Sequence, residues 1–496
     1  MNLIKRFFAP EALLPKGMAR GELPPAGEAY GNLMRIALPS VCEMVLMSLI
    51  GSIDTMMVGR IGTEAIAAVG LVGQPRMLML CVFFAMNIGI TAVVARRKGE
   101  GDQTAANKAL RTSLTLVFAM SLVMLAVAWI FARPLMRLAG AKADTIDDAE
   151  AYFRIVTSVL PFNVLSMAMC AAQRGIGNTR ITMYVNVTSN CVNVLFNYLL
   201  INGIGPFPRL EVRGAAIATA IGLCVGSSLA FLSLKRKDAF LFISFKDGGF
   251  FDKLSAKAIT KVGGNAMIEQ LALRFGFFVY ARLVADLGTQ AYASHTVCMQ
   301  FLNLSFTFAD GIGVAGTSLV GQMLGKGRPD LSHMYGKISQ RIALLGAIVL
   351  ASTIVILRYP LVSLFTSDPI VKELSAKVML ILAVFQPLQM LSVITCGALR
   401  GAGDTKFVAR MMLVCVAVLR PVSAFAAIKI ITAYFTPVLT ASTAVTAVDT
   451  LRFWLAYEAP QWALLGAWGA SCLEMLARMI LSMRRFNSGK WQSIKV

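Results

Sequence analysis

The chain has 496 residues, of which 57% are hydrophobic and only 15% are charged, whereas soluble globular proteins are about 25% charged. This composition excludes an ordinary soluble enzyme and indicates a protein whose solvent is the lipid bilayer. The formal net charge is +21, from 47 Lys and Arg against 26 Asp and Glu. In a soluble protein such a charge would suggest nucleic acid or an acidic partner, so its placement along the chain has to be considered first.

Several classes of catalytic and cofactor site lack the residues they need. The only histidines are His295 and His333, too few for a histidine-rich zinc site or a Ser-His-Asp triad. No G-x-x-x-x-G-K-[ST] motif occurs, so the chain has no P-loop for a nucleotide. We expect no metal, no cofactor and no catalytic residue. The cysteines form no C-x-x-C pair and are expected to be small core residues: Cys42, Cys81, Cys170, Cys191, Cys224, Cys298, Cys396, Cys415 and Cys472.

The first 31 residues contain four basic residues among Pro and Gly but no apolar core of a signal peptide, so we expect a cytoplasmic tail there. Runs of about 20 apolar residues can each span a bilayer as a helix. Six such runs lie near 33–57, 66–95, 107–131, 152–172, 181–203 and 214–234. Six more lie near 262–286, 291–321, 338–358, 378–398, 407–432 and 461–483. The sequence therefore predicts an all-α polytopic membrane protein with twelve transmembrane helices.

The distribution of Lys and Arg predicts the orientation of these spans, because positive residues stay on the cytoplasmic side. The two tails and the loops after spans 2, 4, 6, 8 and 10 hold 31 of the 47 basic residues, and the opposite loops hold 12. Both termini are therefore expected inside. Most of the net charge then faces anionic cytoplasmic lipid headgroups, and a nucleic-acid partner is not needed to explain it.

An internal repeat divides the chain into two halves. V-G-R-I-G-T-E-A-I-A-A at 58–68 recurs as V-A-D-L-G-T-Q-A-Y-A-S at 284–294, and Q-R-G-I-G-N-T-R at 173–180 recurs as L-R-G-A-G-D-T-K at 399–406, both at an offset of 226. After span 11 the offset becomes 252, since Gly214 matches Gly466. The difference implies about 26 extra residues in a long external loop near 433–458.

Because each half has six spans, an even number, the halves enter the membrane in the same orientation as parallel repeats. Two pseudosymmetric lobes of this kind enclose a central cavity and can rock about it. We expect an N-terminal tail at 1–31, an N-lobe at 32–235, a cytoplasmic inter-lobe loop at 236–261, a C-lobe at 262–485 and a C-terminal tail at 486–496.

At these motifs the chain resembles the multidrug and toxic compound extrusion (MATE) family, bacterial type. The matching features are I-D-T-M-M-V-G at 53–59, G-T-x-A opening spans 2 and 8, and the paired R-G-x-G-[ND]-T-[RK] turns after spans 4 and 10. The resemblance runs from about residue 32 to 485. It implies an inner-membrane antiporter that exports small organic compounds, often cationic, in exchange for protons, with sodium as the other possible coupling ion. We expect a monomer, with no nucleic acid or nucleotide as partner.

The ionisable residues within spans are the candidates for coupling, because they are costly in a bilayer. Asp54 and Glu43 are 11 residues apart on span 1 and therefore share a helix face. Asp54 stands where the resemblance places the coupling carboxylate of the N-lobe. A carboxylate held among apolar helices has its charged form disfavoured, so binding of an external proton there could drive release of the substrate. For Glu43, a structural ion pair is the alternative.

Span 5 carries four asparagines on one face, which we expect to contact protein or water rather than lipid: Asn186, Asn190, Asn193 and Asn197. By the resemblance, Asn193 matches a family asparagine, and Asn197 stands where proton-coupled members often have a second aspartate. This departure leaves Asp54 as the main titratable group of the N-lobe. The amides either hydrogen-bond Asp54 and line the cavity or join helices without a role in transport.

In the C-lobe, Glu269 matches a carboxylate of sodium-coupled members, whereas Gln389 replaces its usual aspartate partner and weakens the sodium interpretation. Tyr280, the repeat mate of Asp54, lies on the same face as Glu269. Polar residues within span 8 are further candidates for lining the cavity: Gln300, Asn303 and Asp310. Arg274 and Arg420 are possible ion partners of Glu269 or Asp310, in a coupling role or in a buried structural salt bridge.

Two other functions agree less well with the sequence. A lipid-linked oligosaccharide flippase, or another lipid flippase of related fold, would favour a strongly basic central cavity for phosphates, and few spans here carry Arg or Lys. A polytopic membrane protease or acyltransferase would need a clustered nucleophile, base or metal set. The two distant histidines, without an E-x-x-H or H-x-x-x-H pattern, do not provide one.

Overall fold

The protein is described here from a computed structural model, which covers residues 8–15, 17–59, 61, 63–142, 145–204, 206–236, 239–243, 249, 251–440 and 459–494. Every described element is a helix. Most of the predicted long external loop, residues 441–458, lies outside the described residues.

The first half of the chain forms one set of antiparallel helices. They are α1 (Ala26–Gly59), α2 (Thr63–Glu100), α3 (Gln103–Ile130), the short α4 (Ala132–Leu138), α5 (Ile146–Ser158), α6 (Leu160–Gly175), α7 (Thr179–Asn202) and α8 (Glu211–Ser233). The fourth predicted span is divided between α5 and α6, which are bent by 49°. The bend falls just before Pro161, which has no N–H to donate and disfavours helical geometry in the preceding residue.

The second half repeats this order. Its helices are α9 (Lys253–Ala285), α10 (Thr289–Gly325), α11 (Pro329–Ser363), α12 (Pro369–Gly401), α13 (Thr405–Met412), a π-helical segment (Leu413–Leu419), α14 (Arg420–Thr440) and α15 (Ala459–Asn487). With α5–α6 and α13–α14 each counted as one span, the described helices form the twelve predicted spans. Only α7 and α9 are not apolar enough to qualify by hydropathy, and they carry the asparagine stripe and Glu269 respectively.

The turns on the side of the chain ends reproduce the repeat in their backbone geometry. Gly101 and its mate Gly327 have φ of +75° and +71°, and Gly177 and its mate Gly403 have φ of +84° and +87°. Residues other than glycine are strained in this left-handed region, so glycine is favoured at all four turns. The glycine-rich turns are therefore tight connections between helices.

The two lobes touch on the side of the chain ends. A Cβ atom added to Gly99 would collide with the Gln322 backbone, and one added to its mate Gly325 would collide with the Arg96 backbone. Ser318 Oγ and Gln322 Nε2 donate to the carbonyl of Gly175 at 3.0 and 2.9 Å. Glycine at these positions allows the backbones of α2 and α10 to approach closely.

On the opposite side, each lobe has a hydrophobic core of its own. One cluster there contains only N-lobe residues, such as Met136 and Phe153, and another contains only C-lobe residues, such as Phe385 and Trp468. By contrast, a cluster near the chain ends joins Leu33 of α1 to Met334 and Ile338 of α11. The described helices thus form two lobes that meet near the chain ends and leave a cleft open on the other side.

Described segments near both chain termini pack against the C-lobe. The backbone N–H of Arg20 donates to Asp330 Oδ2 at 3.0 Å, and Arg328 donates to the carbonyl of Glu22 at 3.1 Å. Hydrogen bonds to Asp330 raise the pKa of Arg328 above its usual value. Trp491 stacks on Phe486 near the C-terminus, with ring centroids 4.9 Å apart. Residues 17–25, here called the N-terminal strap, therefore bind the C-lobe.

Candidate functional site

The principal site candidate of the N-lobe is a contact between α1 and α7. Asn197 donates its side-chain amide to Asp54 Oδ1. Asp54 is half-buried near the open end of α1, and Asn197 is fully buried near the same end of α7. No ion pair of Asp54 occurs among the described residues, so a neutral amide is its direct partner. The carboxylate is therefore held by a neutral amide, and Arg76 of α2 is close enough to interact with it electrostatically but forms no ion pair with it among the described residues.

The asparagine stripe of α7 faces protein, as predicted from its spacing. Asn193 Nδ2 donates to Thr219 Oγ1 of α8 at 3.1 Å, and Asn197 Nδ2 also lies 3.4 Å from Asn193 Oδ1. Asn190 Nδ2 donates to the backbone carbonyl of Asn186 at 2.8 Å. The stripe therefore connects Asp54 to α8 through a chain of neutral hydrogen-bonding groups.

Glu43, three turns from Asp54 on α1, lies in a different environment. It pairs with Arg174 of α6 at 2.6 Å, and it accepts hydrogen bonds from Thr182 Oγ1 at 2.9 Å and Asn186 Nδ2 at 2.7 Å. Its side chain is only 1% exposed. Glu43 therefore forms a structural ion pair, which was the alternative to a coupling role in the sequence analysis.

Glu269 has the same arrangement in the C-lobe. Its carboxylate is bonded to Arg400 of α12, with Arg400 Nε at 3.2 Å from Oε2. Glu43 and Glu269 are repeat mates, as are Arg174 and Arg400, and each pair is 131 residues apart in sequence. The suggestion that Arg274 or Arg420 pairs with Glu269 is wrong, because the guanidinium of Arg400 lies against it instead.

The C-lobe contains a buried charge cluster that was not predicted from the sequence. Arg420 of α14 pairs with Glu474 of α15 at 2.9 Å, and Arg478 approaches the other Glu474 oxygen at 3.5 Å. All three side chains are at most 3% exposed. Arg420 is therefore engaged by Glu474, not by Glu269 or Asp310. The i, i+4 spacing of Glu474 and Arg478 within an apolar run was the available signal, but both lie close to the basic C-terminal end of span 12.

The repeat mate of Asp54 is part of an aromatic cluster. Tyr280 is 3% exposed, with its ring centroid 5.5 Å from His295 and 6.5 Å from Trp468. The Arg420 guanidinium lies 5.9 Å from the Tyr280 ring centroid. The two lobes thus carry unlike chemistry at corresponding places: a carboxylate with amides in the N-lobe, and aromatic rings with an arginine in the C-lobe.

The polar residues predicted within span 8 face the cleft between the lobes. Gln300, Asn303 and Asp310 of α10 are all exposed, and their spacing places them on one face of the helix. The adjacent Gly311 lies against Val41 of the N-lobe. Since a polar stripe in contact with lipid is expensive, this face lines the cleft.

Two other predicted cavity residues lie elsewhere. Tyr280 is buried in the aromatic cluster, and Gln389 is 0% exposed within α12. Neither side chain lines the open cleft in this conformation. Among the described residues, no group of three or more His, Cys, Asp or Glu side chains is arranged to hold a metal ion.

Comparison with known proteins agrees with this architecture. The family model MatE matches the chain twice, at residues 39–199 and 266–426, which are the two halves of the repeat. A probable multidrug resistance protein NorM of Thermotoga maritima is 30% identical over 470 residues, covering 94% of each chain. The multidrug resistance protein PmpM of Pseudomonas aeruginosa is 27% identical, covering 76% of this chain and 79% of its own length.

Solved structures share the fold. A multidrug resistance MATE family transporter of the MOP superfamily, in an outward-facing conformation, superposes with a TM-score of 0.81 at 20% identity, covering 93% of this chain and 97% of the other. A MOP superfamily transporter from Pyrococcus furiosus gives a TM-score of 0.80 at 19% identity, covering 99% of both chains. The duplicated lobes, the doubled family match and the full-length relative together show that this chain is a transporter, not an enzyme, and belongs to the MATE family.

Proposed function

We propose that this protein is an antiporter that exports small organic compounds across the cytoplasmic membrane in exchange for protons, by alternating access. Relatives named as multidrug resistance proteins support the export of organic compounds. The observation that carries the proton coupling is the contact of Asp54 with Asn197. A carboxylate whose hydrogen-bond partner is a neutral amide, and that forms no ion pair among the described residues, can exist in both protonation states, as a coupling group must.

The membrane orientation in this proposal follows from the positive charges. The side with both chain ends carries 31 of the 47 Lys and Arg and is assigned to the cytoplasm. The cleft then opens to the outside, and Asp54, near the open end of α1, is accessible to external protons. We also propose that the protein acts as a monomer.

In the proposed cycle, the Asp54 carboxylate binds a proton from outside while the cleft is open. A protonated carboxyl group accepts the Asn197 hydrogen bond less strongly, because hydrogen bonds to charged groups are about twice as strong as neutral ones. The packing of α1 against α7 changes, substrate leaves, and the lobes can close on the outside. Because coupling is reciprocal, bound substrate opposes proton binding to the same extent.

Sodium is the alternative coupling ion, and Glu269 is where the resemblance would place it. The Glu269 carboxylate is occupied by Arg400, and Gln389 supplies no charge. These contacts favour the proton. Glu43 and Glu269, both paired with arginine, are proposed to secure the lobes rather than to exchange the coupling ion.

A flippase for lipid-linked substrates is less well supported. Its phosphate groups would require unpaired basic side chains along the cleft. Arg76, Arg274 and Lys429 form no ion pair in the described part of the spans, but Arg174, Arg400 and Arg420 are each paired with a glutamate. The charge of these three arginines is thus largely neutralised before any substrate binds.

The test is transport of a fluorescent organic cation into inverted membrane vesicles under a proton gradient and, separately, a sodium gradient. Asp54→Asn should abolish proton-driven transport at unchanged expression. Asp147→Asn is the matched control, because Asp147 is an exposed carboxylate on the surface, and it should transport like the parent. Full proton-driven transport by Asp54→Asn would exclude Asp54 as the coupling group.

A further inference from the structure

Asp310 is an intramembrane carboxylate that belongs neither to the proposed coupling site nor to an ion pair among the described residues. It lies 21 residues after the start of α10 and 15 before its end, close to the middle of a helix far longer than the bilayer core is thick. It is nevertheless exposed. An exposed charge at this depth must face water rather than lipid, so Asp310 lies on the floor of the cleft, next to the contact of Gly311 with Val41.

The charge of Asp310 is not neutralised by an ion pair within the described residues. Glu43, Glu269 and Glu474 each have an arginine partner. Arg400 is close enough to Asp310 to interact electrostatically, but its guanidinium is bonded to Glu269. The negative charge of Asp310 is thus available to a ligand in the cleft, where Coulomb attraction is stronger than in bulk water.

The repeat shows that the fold itself does not need this carboxylate. At an offset of 226, the mate of Asp310 is Phe84 of α2. The N-lobe thus has an aromatic residue where the C-lobe has an acid. On the C-lobe side, Phe306 lies one turn from Asp310 on α10 and is half-buried, with its ring centroid 6.3 Å from that of Phe277. A carboxylate one helical turn from an aromatic ring supplies two groups that attract organic cations.

Asp310 is far from the coupling site. Val41, which contacts the residue following Asp310, and Asp54 are both on α1 and are 13 residues apart. At 1.5 Å per residue, Asp54 therefore lies about 20 Å further toward the open side. This is about two Debye lengths at physiological ionic strength, so a cation bound at Asp310 and a proton bound at Asp54 cannot compete for one position.

We propose that Asp310 is the counter-charge for the cationic group of the substrate, on the floor of the cleft and separate from the coupling carboxylate Asp54. The direction of transport in this inference rests on the proposed function, whereas the binding of a cation at Asp310 does not. Proton and substrate then oppose each other through the conformation of the lobes, since their sites are too far apart for direct displacement. Asp310 determines specificity for cations over neutral compounds of similar shape.

The test is binding to the purified full chain in lipid nanodiscs, by fluorescence titration with ethidium, a permanent organic cation, and with an uncharged dye of similar size. Asp310→Asn should weaken ethidium binding by about tenfold or more, the loss expected for a contact with a charged group. Its affinity for the uncharged dye should stay within about twofold of the parent's. Asp310→Glu, which restores the charge, should recover most of the ethidium affinity.

Asp54→Asn distinguishes the two sites. It should lose proton-driven transport and, because the amide resembles the protonated carboxyl that favours substrate release, lose affinity for ethidium and for the uncharged dye to the same extent. Asp286→Asn, a change at an exposed carboxylate outside the cleft, should alter neither measurement. Unchanged ethidium affinity in Asp310→Asn would overturn the assignment of Asp310, as would equal loss of both dyes by Asp310→Asn protein with the parent's size-exclusion profile. Failure of the parent to transport any cation would instead refute the proposed function.

Discussion

Asn197 on α7 donates its side-chain amide to the carboxylate of Asp54 on α1, although the two residues are 143 positions apart. This bond joins the first and fifth spans at the open end of the N-lobe. It is the contact through which a change of protonation on Asp54 would reach the packing of the helices.

Replacing Asn197 with alanine is expected to reduce proton-driven efflux by about tenfold or more. A hydrogen bond to a charged group contributes about 1.5–3 kcal/mol, and 1.4 kcal/mol corresponds to a factor of ten. Asn202→Ala, at the exposed end of the same helix, is the control and should transport normally. Normal efflux by Asn197→Ala in the same vesicle assay would contradict a role for this hydrogen bond.

Replacing Gly99 with alanine is expected to prevent the lobes from closing near the chain ends. The added methyl group would collide with the Gln322 carbonyl oxygen, and a close backbone contact cannot yield as a flexible side chain can. Spin labels on the two lobes should report a longer separation on that side, and transport should fall. Gly264→Ala is the control, because no atom lies within 4 Å of the added Cβ. Identical label distances in Gly99→Ala and the parent would disprove the prediction.

Replacing Glu474 with glutamine is expected to destabilise the C-lobe by about 3–5 kcal/mol, because Arg420 and Arg478 then remain buried without an anionic partner. Thermal unfolding followed by tryptophan fluorescence should shift downward by about 5 °C or more. A triple variant with methionine at all three positions should recover much of this loss, since apolar residues of similar size often replace buried ion pairs without cost. An unchanged unfolding temperature in Glu474→Gln would show that the cluster does not stabilise the lobe.

Replacing Asp330 with asparagine is expected to release the N-terminal strap from the C-lobe. Asp330 accepts from the Arg20 backbone and pairs with Arg328 at 2.9 Å, and the amide keeps neither the charge nor the full acceptor capacity. Trypsin added to inverted vesicles should then cleave faster after Arg20. Asp102→Asn, at a helix N-cap on the same side of the membrane, should leave the cleavage rate unchanged. Equal cleavage rates in the parent, Asp330→Asn and Asp102→Asn would contradict the binding of the N-terminal strap through Asp330.

Much of the architecture was predictable because the signals are local and repeated. Twelve apolar runs, a constant offset of 226 and the paired glycine turns gave the spans, the duplication and the lobes. The asparagine stripe on α7 was recognisable because its spacing follows the helical period. Its burial followed from the cost of amides in lipid.

The pairing of charges was less predictable, because ion pairs depend on distances between helices that are far apart in sequence. The sequence suggested Glu269 or Asp310 as the partner of Arg420, whereas its partner is Glu474, which was not predicted as a candidate. Gly99 and Gly325, at which the lobes meet, also could not be distinguished from other glycines of the spans, since only the approach of a second helix backbone gives them their role.

The amino-acid composition, 57% hydrophobic with a net charge of +21, determined by itself that the chain lies in a bilayer, and the distribution of the charge predicts which side faces the cytoplasm. Hydrophobicity and helical periodicity are properties of neighbouring residues, so sequence suffices for them. Only the tertiary structure decided that Asp54 has an amide as its partner, that Glu43 and Glu269 have arginines, and that Asp310 forms no ion pair in the described chain. Those differences arise where helices meet, and they distinguish a structural charge from one available to a proton or a substrate.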